Sequence, residues 1–226
     1  MLSAMTPVSE QGRGYRWGGT MAWFIVGSIA GGATLGLALA LGALIVGATS
    51  FSVAASAAVV AVVALVCAAS DLRVGGFHLP LHYRQVNEVW FATYRRWVYA
   101  SGYGWQLGVG VATFITTAAI YLMIAAAALT GEPLMAFGSG VAFGAIRALA
   151  ILPARSLTSI DAIRRLHERL EAWAEPSRFL TIGAQFAIAV AAFLVAGAIW
   201  FALATALLLV AGAAVRTTRR RVPAHP

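Results

Sequence analysis

Apolar residues in this chain run in long unbroken stretches rather than alternating with polar ones. A helix that crosses about 30 Å of hydrocarbon needs about 20 such residues. In lipid every backbone N–H and C=O must find a partner within the protein, so these stretches read as helices and not as open strands. Met21 to Ala48 predicts a first span, Phe51 to Ser70 a second, Trp105 to Leu129 a third and Leu134 to Leu152 a fourth. A last block, Phe179 to Val215, runs 37 residues without a charge. As one helix it would be roughly 55 Å long, nearly twice the hydrocarbon thickness. It reads either as one tilted, protruding helix or as two short spans meeting near Ala196-Gly197-Ala198, where no Pro, Asn or Asp marks a turn.

Two polar links separate these runs. In the second, Thr158-x-x-Asp161 resembles a capping box with Asp in place of Glu. Ile160, Ile163, Leu166, Leu170 and Trp173 then recur at steps of three or four. Asp161 with Arg165, and Arg164 with Glu168, make i,i+4 pairs on the polar side. Glu175-Pro176-Ser177 predicts the end, because the residue before a Pro resists the helical region. The segment predicts an interfacial helix on the inner leaflet, with a partner-binding or gating helix as the sharper alternative. In the first link Pro80 precedes an expected helix from Gln85 to Ala100, with Val86, Val89, Trp90, Trp97 and Val98 apolar. Trp90, Tyr94, Trp97, Tyr99, Tyr103 and Trp105 lead into the third span and read as an aromatic belt at headgroup level. The functional alternative is a cytoplasmic mouth built from His78, His82, Arg84, Asn87 and Glu88.

Composition fixes the class. The chain has 226 residues, 61% of them hydrophobic and 11% charged, with a mean hydropathy of +0.83. Soluble domains run at about 45–50% apolar and about 25% charged. A soluble enzyme, a disordered chain and a disulfide-stapled secreted domain are excluded. The single cysteine, Cys67, allows no disulfide within the chain and no thiol pair, and reads as a small buried hydrophobe. The run from Trp17 to Ile45 exceeds the ~7–15 apolar residues of a signal peptide and predicts a retained span.

Charge adds a topology. Sixteen basic residues, all Arg, stand against eight acidic ones, net +8. Arg13 and Arg16 precede the first span. Arg73, Arg84, Arg95 and Arg96 occupy the first link, and Arg155, Arg164, Arg165, Arg169 and Arg178 the second. Arg216, Arg219, Arg220 and Arg221 follow the last block. Positive residues stay cytoplasmic, whereas Thr49-Ser50 and Thr130-Gly131-Glu132-Pro133 carry no Arg. The expected fold is therefore an all-α polytopic integral membrane bundle of six spans in three hairpins, with five as the alternative count. Residues 1–16 form a cytoplasmic tail and 17–215 a single transmembrane domain with amphipathic cytoplasmic links 71–104 and 153–178. Residues 216–226 form a basic cytoplasmic tail, and the plasma (inner) membrane is the expected location. The Arg clusters lie beside spans, so anionic lipid headgroups explain them better than nucleic acid does.

Candidate chemistry inside the spans is sparse. Gly27-x-x-x-Gly31, Gly32-x-x-x-Gly36 and Gly104-x-x-x-Gly108 with Gly110 have the spacing of close helix packing, as do Gly138, Gly140 and Gly144 in the fourth span. A broken helix exposing backbone to a substrate is the alternative. Arg147 is the one charge well inside a span and so a functional candidate, unless it snorkels to the inner headgroups. Gln106, Thr113, Thr116, Thr117 and Tyr121 mark the third span, and Thr113, Thr117 and Tyr121 step by four along one expected helix face. Thr181 and Gln185 do the same in the fifth. A polar stripe facing Arg147 would make a small anion-friendly cavity; the alternative is interhelical hydrogen bonding, worth ~0.6 kcal/mol per contact. No catalytic triad, HExxH or Walker loop is present. His78 and His82 stand four apart with Pro80 between them and no third ligand beyond Glu88, so no metal, cofactor or catalytic residue is expected.

The glycine-rich runs Gly102-Tyr103-Gly104-Trp105-Gln106-Leu107-Gly108-Val109-Gly110 and Phe137-Gly138-Ser139-Gly140-Val141-Ala142-Phe143-Gly144-Ala145-Ile146-Arg147 resemble those of small six-span proteins. The group in question is the CcdA/DsbD-like one within the LysE transporter superfamily. That resemblance covers the third and fourth spans and implies either electron carriage through a membrane cysteine pair or movement of small solutes. The pair is missing here, so only the second implication applies. Members of that group often place the N-terminus outside, opposite to the Arg pattern of this chain. The expected function is movement of a small solute, with an anion as the favoured case. Arg147 would supply the charge, and Gln106, Thr113, Thr116, Thr117 and Tyr121 the lining. The second class is a non-transporting subunit that docks a membrane partner or a second copy through Ser159–Ala174 and His78–Tyr103. The third is an intramembrane enzyme.

Overall fold

The computed structural model describes residues 5–49, 51–80, 89–110 and 117–208. These form an all-α bundle, with no strand among the described residues. In chain order the helices are α1 (Pro7–Gly12), α2 (Trp17–Gly47), α3 (Val53–Leu72), α4 (Trp90–Thr93), α5 (Arg96–Val109), α6 (Ala119–Ala128), α7 (Pro133–Ala148), α8 (Ile160–Val195) and α9 (Ile199–Leu208). Short 3-10 turns cover Val74–Gly76 and Leu149–Ser156. Four stretches are long and apolar enough to cross a membrane: Trp17–Gly47, Val53–Leu72, Pro133–Ser156 and Asp161–Val195. The protein is an integral membrane protein.

Small residues make much of the contact between the spans, and many large apolar ones face outward. Ala61, Ala64, Ala68, Ala136 and Ala189 are fully buried, whereas Leu134 is 81% and Leu180 79% exposed. Lipid offers no hydrophobic drive for helices to associate, so close backbone packing of small residues takes over. Gly27, Gly31, Gly32 and Gly36 lie along α2 against two neighbours. On α5, Gly104 faces the backbone of Phe24 and Ser28, and Gly108 that of Ser28 and Gly32. On α7, Gly140 faces Gly36 and Gly32, and Gly144 faces Ser28 and Gly32. Rising numbers on α2 meet rising numbers on α5 and falling numbers on α7, so α5 runs parallel and α7 antiparallel to it. The Ser28 hydroxyl closes the junction by donating to the Gly144 carbonyl at 2.8 Å.

A second layer holds α3, α6, α8 and α9. Ala64 and Cys67 pack with Leu122 and Ala189, while Ala61 packs with Phe193 and Ala202. Helix α8 therefore runs antiparallel to α3. It ends at Val195 and Gly197 takes φ +75°, a left-handed value that glycine adopts freely. The Ala198 N–H returns to the Phe193 carbonyl at 2.9 Å, and the Phe201 ring stacks on Phe193 with centroids 5.6 Å apart. The chain turns back here, at the Ala196-Gly197-Ala198 position marked by the sequence.

Several expectations need correction. The third span is not one helix from Trp105 to Leu129: α5 starts at Arg96 and stops at Val109, and α6 begins only at Ala119. The expected Gln85–Ala100 helix is also broken, because Tyr94 and Arg95 are extended between α4 and α5; its first four residues lie outside the described ones. Helix α8 does not stop at Glu175-Pro176-Ser177 but passes through Pro176, whose loss of one N–H falls on a stretch, His167 to Ser177, that is exposed throughout. Its N-cap is Ser159, accepting from the Ala162 N–H at 3.2 Å, rather than Thr158. Asp161 pairs with Arg164 at 3.5 Å instead of Arg165, and the Arg164–Glu168 pair is present at 3.8 Å.

Candidate functional site

The end of α5 at Gly110 and the start of α6 at Ala119 are the two places where the interior polar groups gather. At the first, Gly110 closes α5 with φ +77°. A Cβ there would lie 2.6 Å from the Phe143 ring and 2.7 Å from Ile120, so only glycine fits. The Arg147 guanidinium sits over that same Phe143 ring, 5.3 Å from its centroid. Arg147 is half-buried in the last turn of α7, and no carboxylate pairs with it among the described residues. A cation over an aromatic face gains electrostatic attraction without being neutralised, so Arg147 keeps its charge available.

At the second stands Asp71, which the sequence analysis left at the start of a link. Its Oδ1 accepts the Ala118 N–H at 2.8 Å and so caps the start of α6. Carboxylates favour a helix N-terminus because the exposed N–H groups and the macrodipole are positive there. Its Oδ2 accepts from Gln185 Nε2 on α8 at 2.8 Å. Its backbone carbonyl, one of the last free carbonyls of α3, takes Nε and Nη2 of Arg178 at 2.9 and 2.7 Å. One residue thus joins α3, α6 and α8. Ser70 adds a contact by accepting the Leu79 N–H at 2.9 Å. Gln185 is only 1% exposed, and its Oε1 is the one buried side-chain polar atom without a partner among the described residues.

The other sequence candidates fall out as follows. Thr117 precedes α6 and its hydroxyl accepts the Ala119 N–H at 2.9 Å, so it is a capping residue. Tyr121 is on α6, and its hydroxyl donates to the Pro80 carbonyl at 2.7 Å. They do not form a continuous helical stripe, because the helix starts between them. Gln106 lies half-buried on α5. Thr113 and Thr116 lie outside the described residues, as do His82, Arg84, Asn87 and Glu88; His78 is exposed in the link after α3. Thr181 and Gln185 are both on α8, but the Thr181 hydroxyl bonds to its own helix at the Ser177 carbonyl. No cluster of three His, Cys, Asp or Glu suited to a metal occurs among the described residues.

A second polar cluster was not foreseen. Glu10, in the N-terminal segment read as a tail, is fully buried. Its carboxylate accepts from Thr20 on α2 at 2.5 Å, from Tyr99 on α5 at 2.8 Å and from Arg13 at 2.7 Å. Tyr99 belongs at the same time to a buried apolar cluster with Met5, Tyr103, Ile151 and Leu157, against which Ile163 and Leu166 of α8 pack. Thr6, Pro7 and Ser9 carried the signal: a reciprocal cap with Pro at the first helical position. At the opposite end a shallow open cleft of about 450 Å³ lies between Thr49, Phe51, Ser56 and the Thr130–Glu132 turn.

No protein-family model matches the chain, and neither the characterised proteins nor the solved structures contain one similar to it.

Proposed function

We propose that the protein moves a small anionic solute across the membrane through its helix bundle, past the end of α5 at Gly110 and Arg147. The observation that carries this reading is the pairing of a broken span with Arg147, a guanidinium that no carboxylate neutralises among the described residues. Ionisable groups at membrane depth are costly and mark pathways, and interrupted helices expose backbone where solutes are held. In this reading the chain makes six crossings in the plasma (inner) membrane, with both termini cytoplasmic and the Arg-rich end against anionic headgroups.

The test is reconstitution of the purified protein in liposomes with flux measured for chloride, nitrate, phosphate and small carboxylates. The wild type should raise the flux of at least one anion, and Arg147→Gln should lower it by about tenfold or more, equivalent to about 1.4 kcal/mol. Equal flux in the two removes Arg147 from the pathway. A second reading, docking of a membrane partner, is favoured by the fully exposed stretch of α8 from His167 to Ser177. A partner that copurifies and is lost on charge reversal at Arg164 and Arg165 would support it over transport.

A further inference from the structure

We propose that the N-terminal segment Met5–Gly12 is a hinged strap that closes the bundle beside Arg147, held shut by the Glu10 carboxylate and opened by rotation at Gly14. The strap takes its purpose from the transport reading, since closure matters where a solute passes Arg147, and its geometry stands on other residues.

The register of α5 against α7 shows what the strap closes. Tyr99, Tyr103 and Leu107 step by four along one face of α5. Phe143, Arg147 and Ile151 step by four along α7 and the turn after it. A Cβ on Gly110 would meet the Phe143 ring, and Tyr103 shares a buried cluster with Ile151. The two helices therefore run antiparallel, with Arg147 at the level of Leu107. Gly110 and Phe143 stand on one side of that level, Tyr103 and Ile151 on the other. Leu107 packs on the cluster of Tyr103 and Ile151, and Met5, only 2% exposed, belongs to it. At the end of the bundle where α1 lies, this cluster closes the approach to Arg147.

The strap is held by few side chains, and most of the hold is polar. Helix α1 buries only Glu10, and Val8 is exposed. Glu10 is gripped from α2 by Thr20, from α5 by Tyr99 and from its own segment by Arg13. The Met5 carbonyl accepts from Trp17 Nε1 at 3.0 Å. The Arg13 guanidinium lies 4.6 Å from the centroid of Phe91, whose ring packs on Tyr99 and Tyr103 at 5.1 and 4.8 Å. The carboxylate and the aromatic cluster thus form one latch. A carboxylate needs donors when buried and finds them in water when exposed, so this latch can release without stranding a charge. Its joint to α2 is Gly14, at φ +77°, where a Cβ would have nothing within 4 Å. Packing therefore leaves the joint free to turn, and glycine tolerates either sign of φ. Segments with few buried apolar contacts open more readily than the fold as a whole, and hinges of one or a few residues absorb the motion.

The test is thiol access in the full-length protein in lipid nanodiscs. Ile151→Cys places a thiol in the closed cluster, and the native Cys67 is buried in the other layer. A polar maleimide should label this variant slowly. Adding Thr20→Val keeps the side-chain shape and takes one donor from Glu10, which should speed labelling by about tenfold or more. Met5→Ala should speed it with the latch intact. Gly36→Ala would press a Cβ on the Phe137 backbone, far along α2 from Thr20, and controls for general loosening; it should leave the rate unchanged. If Ile151→Cys does not fold, Ala154→Cys, fully buried in the same cluster, reads the same closure. A rate indifferent to Thr20→Val and Met5→Ala overturns the proposal, as does equal acceleration by Gly36→Ala. Flux separates the two readings. Thr20→Val alone should raise the anion flux of the wild type by about threefold or more. Faster labelling with no flux in any variant keeps the strap and removes the transport reading. Wild-type flux that Thr20→Val leaves unchanged keeps transport and overturns the strap.

Discussion

The most consequential residue for stability is one that the sequence presents as ordinary. Glu10 sits in a polar run, and nothing in its spacing says that Thr20 and Tyr99 will reach it from two different helices. A buried carboxylate needs its donors, and removing one leaves part of its desolvation uncompensated, at about 1–3 kcal/mol. Tyr99→Phe is expected to destabilise the detergent-solubilised protein by that amount, read as a lower melting temperature, and to raise amide exchange across α1, while Arg147→Gln leaves both unchanged. Glycines offer a matched pair. Gly144→Ala would push a Cβ into the Ser28 and Gly32 backbone and should cost about 1–3 kcal/mol. Gly138, on the same helix, has nothing within 4 Å, so Gly138→Ala should be neutral or stabilise by about 0.5–1 kcal/mol. The thermal denaturation of the two variants, run side by side, checks both signs. Both positions read alike in the sequence, because spacing shows that a glycine could face a helix and not whether one is there.

Elements divide by how much of their character is local. The first, second and fourth spans were legible to within a few residues, since an apolar run of that length has no other way to satisfy its backbone. The turn at Gly197 was half legible, as too long a run must bend somewhere and glycine takes the left-handed φ most cheaply. The break after Gly110 was not, because Gly104, Gly108 and Gly110 signal close packing and unwinding equally. Asp71 was hidden for a related reason: its place at the end of an apolar run looks like a boundary, and its role comes from α6 and α8, more than 45 residues away. The break makes its own prediction. Gly110→Ala combines an unfavourable φ of +77° with contact on Phe143 and Ile120. It should destabilise the fold by about 1–3 kcal/mol and, through Phe143, reduce anion flux together with Arg147→Gln. A variant that melts as wild type and conducts as wild type would show that the edge is not tightly set.

At the scale of the whole molecule the two layers sort the connecting segments into two opposite ends. Asp71 and Arg178 mark one level on α3 and α8, and Ala61 and Phe193 the next, so the Gly197 turn lies near the same end as Thr49 and Val53. Helix α1 and the beginning of α8 lie together at the opposite end, where Ile163 and Leu166 pack on the cluster around Met5. Cys67 is buried and should react slowly with a membrane-impermeant maleimide, which leaves the native chain a quiet background for single-cysteine reporters. Cysteines at Thr49, Glu132 and Ala196 are expected to label from one side of the membrane in intact cells. Cysteines at Gly12 and Arg169 should label only after the membrane is opened. A cysteine at Thr217 decides the count: labelling with the Gly12 group means that the chain returns after Gly197 and crosses six times, whereas labelling with the Thr49 group means five. Because the turn at Gly197 folds Phe201 back onto Phe193, the expected result is the first. It would also put the four closing arginines on the same side as Arg13 and Arg16, where the positive-inside rule requires them.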